Sequence, residues 1–491
     1  MLVPKRNDRV GMRIKNNLGI IRYNNTLNHS KEGFVYRNKD LHKYDLYYEN
    51  KQHDDKQPWD QSCDSADYVQ IRKRQPRIQF PFSKVLASRV VGKLVGQDTW
   101  PTFVAEQDPD TDAYLRWIIK VSHLQTNLFE PLRRMMVSGS VFVRFGVING
   151  AFALKYELAK HCYPTLAPDG SLESMTVAYV YEDKEDVDHN QKPKKKWYRA
   201  DYGPDADILF EPVLYVKGQK LDEVEWTIAE TAEHGLGFVQ GEWFRTFVGS
   251  EGIDGASLIA DILDFMDEID YNMSQSSQVI QYNQDPQLLI KGLTEDDLET
   301  LVRSSQKAWN LGREGEASFL ETGLQAVEVA RDFRDRVRLS VQDIARIVLM
   351  DPEKMASHAQ SGRALEILHQ PMVELIQELR PSIEMALVSL VRKMALVNLL
   401  IANSGGSSPV SVPPGYQPKT LQIDLKWPAV FAKSIEDLQK KVSVASQVSS
   451  AKLISRETLT RWLAQDFQIE DVELELQKIA AEPVLNPFGG F

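Results

Sequence analysis

Two long helical tracts, joined by a compact insert with strands of its own, constrain this chain more than any other feature. In the first tract, residues 255–283, Leu258, Ile259, Ile262, Leu263, Met266, Ile269 and Met273 recur at three- and four-residue steps and form one apolar stripe. Asp261, Asp264, Asp267, Glu268 and Asp270 fill the other faces. A helix of roughly 28 residues is about 42 Å long, and its stripe needs a partner. The second tract, about Val327–Leu349, repeats the pattern with Ala330, Phe333, Val337, Val341, Ile344 and Val348. Its other faces carry Glu328, Arg331, Asp332, Arg334, Asp335, Arg336, Arg338, Asp343 and Arg346, with Arg331/Asp335 and Asp332/Arg336 spaced as i,i+4 ion pairs.

The insert opens with a short strand, Gln287–Lys291. A helix start follows at Thr294-Glu-Asp-Asp297, with a Thr cap and acids in the first turn. That helix runs to about Leu311, stops at Gly312, and gives way to a second strand, Ala317–Leu320. Beyond the second long tract, Met350–Gly362 is broken by Pro352 and Ser361-Gly362 and reads as a loop. A third helical tract spans Arg363–Ile401, interrupted by Pro371 and Pro381, each of which removes a backbone hydrogen bond and favours a kink. Residues 403–420 have linker composition, Leu421–Trp427 alternates as a strand, and helices are expected at Ile435–Ser449, Ser455–Asp466 and about Asp471–Ala481.

The first 75 residues are polar. Tyr44, Tyr47, Tyr48 and Trp59 show no clear period, which points to an extended arm or irregular lobe. Ile78–Leu94 and Leu115–Val137 are helical by periodicity, the latter expected to kink or divide at Pro131. Strands are expected at 139–145, 151–156, 175–181, 196–200, 208–212 and 224–230, an antiparallel β unit beside helices. Lys192-Pro-Lys-Lys-Lys196 reads as a solvated hairpin tip. The fold class is α+β and mainly α.

The chain carries a net charge of −11, from 58 basic and 69 acidic residues. Proteins that hold DNA are usually basic, because phosphate neutralisation supplies most of the affinity; a conventional DNA-binding protein is therefore excluded. Cys63 and Cys162 are too few for a disulfide scaffold or a cysteine-based zinc site and are expected as reduced thiols. The N-terminus MLVPKRNDRV lacks the apolar core of a signal peptide, and the longest apolar run, Ala395–Ala402, is too short for a bilayer, so no membrane partner is expected. Gly92-Lys93 lacks the upstream glycine of a phosphate-cradling loop, and His234-Gly-Leu-Gly237 is not a full dinucleotide fingerprint. Asp264, Asp267 and Glu268 share a helix face but read as a solvated or DNA-facing stripe rather than a metal site. His161 and Cys162 are adjacent, and neighbours on a strand point to opposite faces. The chain is thus expected not to be an enzyme and to need no cofactor or metal.

This order of elements resembles the portal proteins of tailed phages, over roughly residues 75–482. His234-Gly-Leu-Gly237 and Gly255-Ala-Ser257 look like the entry to the first stem helix, and Asp270-Tyr-Asn272 with Ser274 like its far end. Asp285-Pro-Gln-Leu-Leu-Ile-Lys-Gly292 is similar to the start of a clip, Ser361-Gly-Arg-Ala-Leu365 to the helix after a tunnel loop, and Ile454-Ser-Arg-Glu-Thr458 with Glu473-x-Glu475 to crown helices. The departure is Gly237-Phe-Val-Gln240, where the family often has a proline after the glycine. The resemblance implies an arm and wing over 1–254, stem helices at 255–283 and 324–349 around a clip at 284–323, and a tunnel loop at 350–362. A kinked wing helix, linker and strand over 363–428 and a crown over 429–491 complete it.

It further implies a dodecameric ring at one vertex of the head. Double-stranded DNA would be packaged and ejected through the axial channel. The terminase large subunit would dock on the clip and be replaced by neck or adaptor proteins, with major capsid and scaffolding proteins as further partners. Assembly would take place in the host cytoplasm, and the final location would be the portal vertex of the virion. On this reading Lys354, Met355, Ser357, His358 and Gln360 face the DNA channel. Glu295, Asp296, Arg303, Lys307 and Arg313 belong to the docking site, and Arg331, Asp332, Asp335 and Arg338 to the contact between neighbouring stems. An acidic lining suits such a conduit, because it repels phosphate and leaves no deep binding minimum along the path.

Overall fold

A hairpin opens the chain: β1 (Gly11–Ile14) pairs antiparallel with β2 (Ile21–Asn24). The computed structural model describes residues 11–14, 21–24, 31–60, 69–105, 108–187, 191–247, 252–284, 287–291, 316–320, 325–347, 369–412, 416, 418, 421–430, 435–451, 454–464 and 472–481. These belong to two compact units, Met1–Leu349 with Pro371–Lys426, and Met350–Gln370 with Trp427–Phe491.

In place of the expected irregular lobe, Lys31–Glu49 forms a helix, α1. Leu41, Tyr44 and Tyr48 step by three and four, so the face exists, but tyrosines supply most of it; Leu41, Tyr47 and Tyr48 are buried. Ions fasten this helix. Arg134 lies 4.1 Å from the centre of the Tyr48 ring and pairs with Asp45 at 2.8 Å and with Glu49. Arg37 donates to both oxygens of Asp254 and to the carbonyls of Ala159 and Cys162.

Helix α2 (Phe82–Leu94) starts only after Pro81, because the residue before a proline is pushed out of the helical region. Strand β3 (Thr102–Ala105) leads to α3 (Pro109–Val121), capped by Asp108, and α4 (Leu124–Ser138). The expected break at Pro131 lies instead at His123, whose φ of 48° ends one helix and starts the next. Pro131 runs inside α4, where the buried face of Leu124, Leu128, Leu132 and Met135 keeps the helix continuous.

Two antiparallel sheets follow. The first has the order β12–β4–β5, from β4 (Ser140–Ile148), β5 (Ala151–Leu158) and β12 (Gly241–Arg245). The second runs β11–β9–β8–β7–β6, built from β6 (Cys162–Leu166), β7 (Leu172–Val187), β8 (Pro193–Tyr202), β9 (Ala206–Phe210) and β11 (Ile228–Glu233), with β10 (Val213–Leu214) also on β8. The lysine run is not a free tip. Lys194, Lys195 and Lys196 lie within β8 and pair across to Asp186, Glu182 and Asp183 of β7. A core of Leu41, Phe142, Cys162, Met175, Val177, Trp243 and Ile253 joins α1 to both sheets.

The first long helix, α5 (Leu263–Gln284), begins after a single 3-10 turn, Ala260–Ile262, later than its periodicity indicates. Residues 255–259 are committed elsewhere: Leu258 N–H donates to Met136 O, and Gly255 N–H to Ser140 Oγ. Strands β13 (Gln287–Lys291) and β14 (Glu316–Leu320) pair in register from Gln287↔Leu320 to Lys291↔Glu316. The helix expected between them lies outside the described residues. Helix α6 (Gln325–Ile344) ends short of Leu349, with Arg346 at φ 53°.

Helix α7 (Gln370–Asn403) runs through Pro381. Its length and composition are those of a bilayer-crossing helix, yet half of its most apolar stretch is buried in the protein. Tyr114 donates to Ala395 O at 2.9 Å, and Lys393 and Ser389 both donate to Glu242 of β12. The stretch expected as a free linker is tied to this helix: Val410 N–H donates to Asn398 Oδ1 at 2.9 Å, and the Tyr416 hydroxyl is 3.1 Å from Thr111 Oγ1. Strand β15 (Ile423–Lys426) pairs with β3. In the other unit, α8 (Ile435–Ser450), α9 (Arg456–Ala464) and α10 (Val472–Ala481) match their periodicity, and Ser455 Oγ caps α9 by accepting from Thr458 N–H at 3.2 Å.

Gly139 ends α4 at φ 85°, and a Cβ there would stand 2.0 Å from Gly255 O. Gly139→Ala should therefore lower stability by about 2 kcal/mol or more, through left-handed backbone strain and the clash. Gly146→Ala, with nothing within 4 Å of the new Cβ, should change little. Thermal unfolding of the two variants checks the contrast.

Candidate functional site

A dense polar cluster lies where residues 47–60 and 69–80 meet the start of α5. Helical spacing puts Asp267, Asp270, Tyr271 and Ser274 on the contacting side. Asp270 is 1% exposed. Its Oδ1 accepts from Phe80 N–H at 2.9 Å and its Oδ2 from Gln52 Nε2 at 3.3 Å. Ser274 Oγ accepts from Ile78 N–H at 3.0 Å. The Tyr271 hydroxyl lies 2.9 Å from the carbonyls of both Arg72 and Arg74 and accepts from Lys56 Nζ at 2.8 Å. Arg72 sits over the Tyr271 ring and pairs with Glu268.

His53 is fully buried at the centre. Its Nε2 is 3.4 Å from Asp267 Oδ1 and 3.5 Å from Asp270 Oδ2, and its Nδ1 is 3.0 Å from Lys56 Nζ. An ammonium has only donors, so Nδ1 accepts, and the ring proton belongs on Nε2, facing the carboxylates. Tyr47 donates to Asp267 at 2.9 Å. Burial, chiefly, pushes the Tyr47 hydroxyl up, and burial likewise raises the Asp270 carboxyl against the opposing pull of His53 and Phe80 N–H.

The acids of α5 therefore divide. Asp261 and Asp264 are exposed, whereas Asp267, Glu268 and Asp270 hold the N-terminal segment. This corrects the reading of a solvated stripe. The only sequence signal for the clasp was an acidic face wider than solubility requires; its partners Tyr47, His53, Lys56 and Arg72 lie about 200 residues earlier and carry no periodicity of their own. Among the described residues no group of three or more His, Cys, Asp or Glu could hold a metal ion. His161 is lowered to about 4, mainly by burial, and burial pushes the Cys162 thiol well up. Burial thus disfavours the imidazolium and the thiolate alike.

Further along, α5 packs against α6. The expected single stripe of α6 is split: Val337 and Val341 are buried, but Phe333 and Ile344 are exposed, together with Val329 and Leu339. On α5, Ile280 and Tyr282 are exposed as well. Arg331, Asp332, Asp335 and Arg338 are all exposed. The recorded pairs join neighbours, Arg331–Asp332 at 3.8 Å and Arg334–Asp335 at 3.4 Å, rather than the expected i,i+4 partners. Arg346 Nη1 binds both oxygens of Glu378 at 2.8 Å and ties the end of α6 to α7. Lys354, Met355, Ser357, His358 and Gln360, and Glu295, Asp296, Arg303, Lys307 and Arg313, lie outside the described residues.

The family model described as phage portal protein, SPP1 Gp6-like, matches residues 27–483. The chain belongs to the phage portal protein family. That family is structural rather than enzymatic, and the mixed α+β architecture agrees with it. No curated protein matches the chain. Among solved structures, a chain of the virion of a native gene transfer agent particle is 10% identical with a TM-score of 0.42, covering 77% of this chain and 88% of that one. A chain from the neck of the native particle, computed with C12 symmetry, is 10% identical over 78% and 89% with the same TM-score. One from the neck of the empty particle, computed with C6 symmetry, is 11% identical over 77% and 88%, again at 0.42.

For this portal-family chain the clasp carries a signed pH dependence. A folded-state carboxyl raised by burial binds its proton more tightly folded than unfolded, so its contribution is greatest below the unfolded value and is lost as pH rises through the folded one. Wild type should lose stability relative to Asp270→Asn as pH climbs from about 4 towards neutrality. Melting temperatures of both across that range test the sign, and a gap that moves the other way would contradict the burial argument.

Proposed function

We propose that the chain is the subunit of a portal ring at one vertex of a phage head, with an axial channel for packaging and ejecting double-stranded DNA. The match to the portal family over residues 27–483 carries this reading. Helices α5 and α6 are the stem, residues 284–323 the clip on which terminase docks before neck proteins replace it, 350–362 the tunnel loop, and 429–491 the crown. Capsid and scaffolding proteins surround the wing.

Physical features support the assembly. Val329, Phe333, Leu339 and Ile344 on α6, and Ile280 and Tyr282 on α5, expose apolar surface on helices that also carry Arg331, Asp332, Asp335 and Arg338. In a head-to-tail ring one copy's patch meets a different patch on the next, and unlike charges can face each other across that contact. A net charge of −11 suits a conduit that must not grip its DNA. The dodecamer is the ring size we favour.

The purified chain should sediment far above its 55.9 kDa monomer mass and show rings with a central channel in negative-stain averages. A stable monomer would count against the whole reading. Within rings, Lys354→Ala should leave assembly unchanged, because one exposed phosphate contact is weak and salt-sensitive. Bulky or multiply basic replacements at Ser357–Gln360 should slow DNA packaging while rings persist. Deleting residues 287–320 should leave rings that no longer package, and normal packaging by such rings would refute the docking assignment.

A further inference from the structure

The N-terminal hairpin and one edge of the larger sheet are each incomplete in a way that the other remedies. Residues 1–30 carry Lys5, Arg6, Arg9, Arg13, Lys15 and Arg22 against Asp8, a basic segment on an acidic chain. In the β1–β2 register, Arg13 stands directly opposite Arg22, and Met12 opposite Tyr23. Like charges directly across a strand pair destabilise it, and a two-stranded hairpin alone is marginal in water. A further strand and an acidic neighbour are the two additions that would relieve these costs.

Strand β11 offers both. It closes one end of the larger sheet, pairing only with β9 among the described residues, and all six of its residues are exposed. An edge of this kind leaves a row of backbone donors and acceptors open to another strand. It carries Glu230 and Glu233, and the run Leu221–Glu233 adds Asp222, Glu223 and Glu225 with no lysine or arginine. Ile228, at 56% exposure, gives the edge an apolar residue as well.

We propose that the hairpin of one copy adds to the β11 edge of a second copy, extending its sheet and setting Arg13 and Arg22 beside Glu230. Among the described residues the hairpin is a two-stranded sheet of its own. A donor on one side and an acceptor on the other make a heterologous contact that repeats around a ring. The inference rests on association of copies, as in the portal reading, but adds a contact distant from α5 and α6.

Cysteine pairs on the full chain test it: Arg22→Cys or Asn24→Cys combined with Glu230→Cys or Ala232→Cys. Mild oxidation should give disulfide-linked ladders of two or more chains in at least one pair, and none in the single variants. Separately, Arg13→Glu with Arg22→Glu should weaken subunit association by roughly fivefold or more at low salt, and adding Glu230→Lys with Glu233→Lys should restore it. Visible rings without intermolecular links in any pair would overturn the donation and leave the ring reading standing. Links confined to single chains would overturn it too. So would loss of retention on a short DNA duplex in the arginine variant with association unchanged, which would assign the pair to DNA. Links between chains that form no closed ring would support the donation and refute the portal reading.

Discussion

A carboxylate at 1% exposure must have its oxygens met, and Asp270 is met by the backbone of Phe80 and the side chain of Gln52. Removing a partner from a buried charged group costs about 1.5–3 kcal/mol, so this contact fixes where Gln52 and Phe80 lie. Tyr271 and Ser274 repeat the arrangement by binding carbonyls of Arg72 and Arg74 and the amide of Ile78. Helix α2 starts two residues after Phe80, and its apolar face of Leu86, Val90, Val91 and Leu94 is fully buried. The same anchor that covers α5 therefore delivers α2 to the core. A helix whose apolar stripe called for a partner is built into the unit through its acids as well.

The helices with aliphatic stripes were legible from sequence, and so were the two short strands β13 and β14 and the three C-terminal helices. What escaped was structure held by other chemistry. Helix α1 was hidden because Tyr44, Tyr47 and Tyr48 do the work of leucines, with Arg134, Asp45 and Glu49 as ionic fasteners. The break between α3 and α4 was assigned to Pro131, but a well-packed face outweighs one missing hydrogen bond, whereas His123 turns the chain with no side-chain cap. Strand β3 is four residues long and finds β15 more than 300 residues later; no local pattern encodes such a pairing. The candidate site was legible only as an acidic face, since its basic and aromatic partners are scattered through a polar segment.

Helix α7 shows how composition alone misleads at the other extreme. By hydropathy it could cross a bilayer. It is instead a core helix, and its polar residues state why: Asn398 meets Tyr114 and Val410, and Lys393 and Ser389 converge on Glu242. Each of these polar groups is met by partners elsewhere in the same unit, as a buried polar group requires. The two groups that most resembled catalytic ones, His161 and Cys162, are likewise explained by burial, one held neutral and the other held as a thiol.

The asymmetry of α5 and α6 follows from the same logic. At its start α5 is covered by the clasp, and α6 ends tied to α7 by Arg346 and Glu378. The helices cover each other on one side only, with Val337 and Val341 inward and Phe333, Leu339 and Ile344 outward. A stable monomer would have no use for fastening the start of α5 and the end of α6 in a half-covered pair, because exposed apolar side chains on a firm helix gain nothing from order. Fastening is useful where a second copy must meet those side chains in one register. Preorganised helices lose less freedom on association than mobile ones. The two anchors, a buried clasp on α5 and a surface ion pair on α6, thus add to the proposed assembly a physical argument that does not use family likeness.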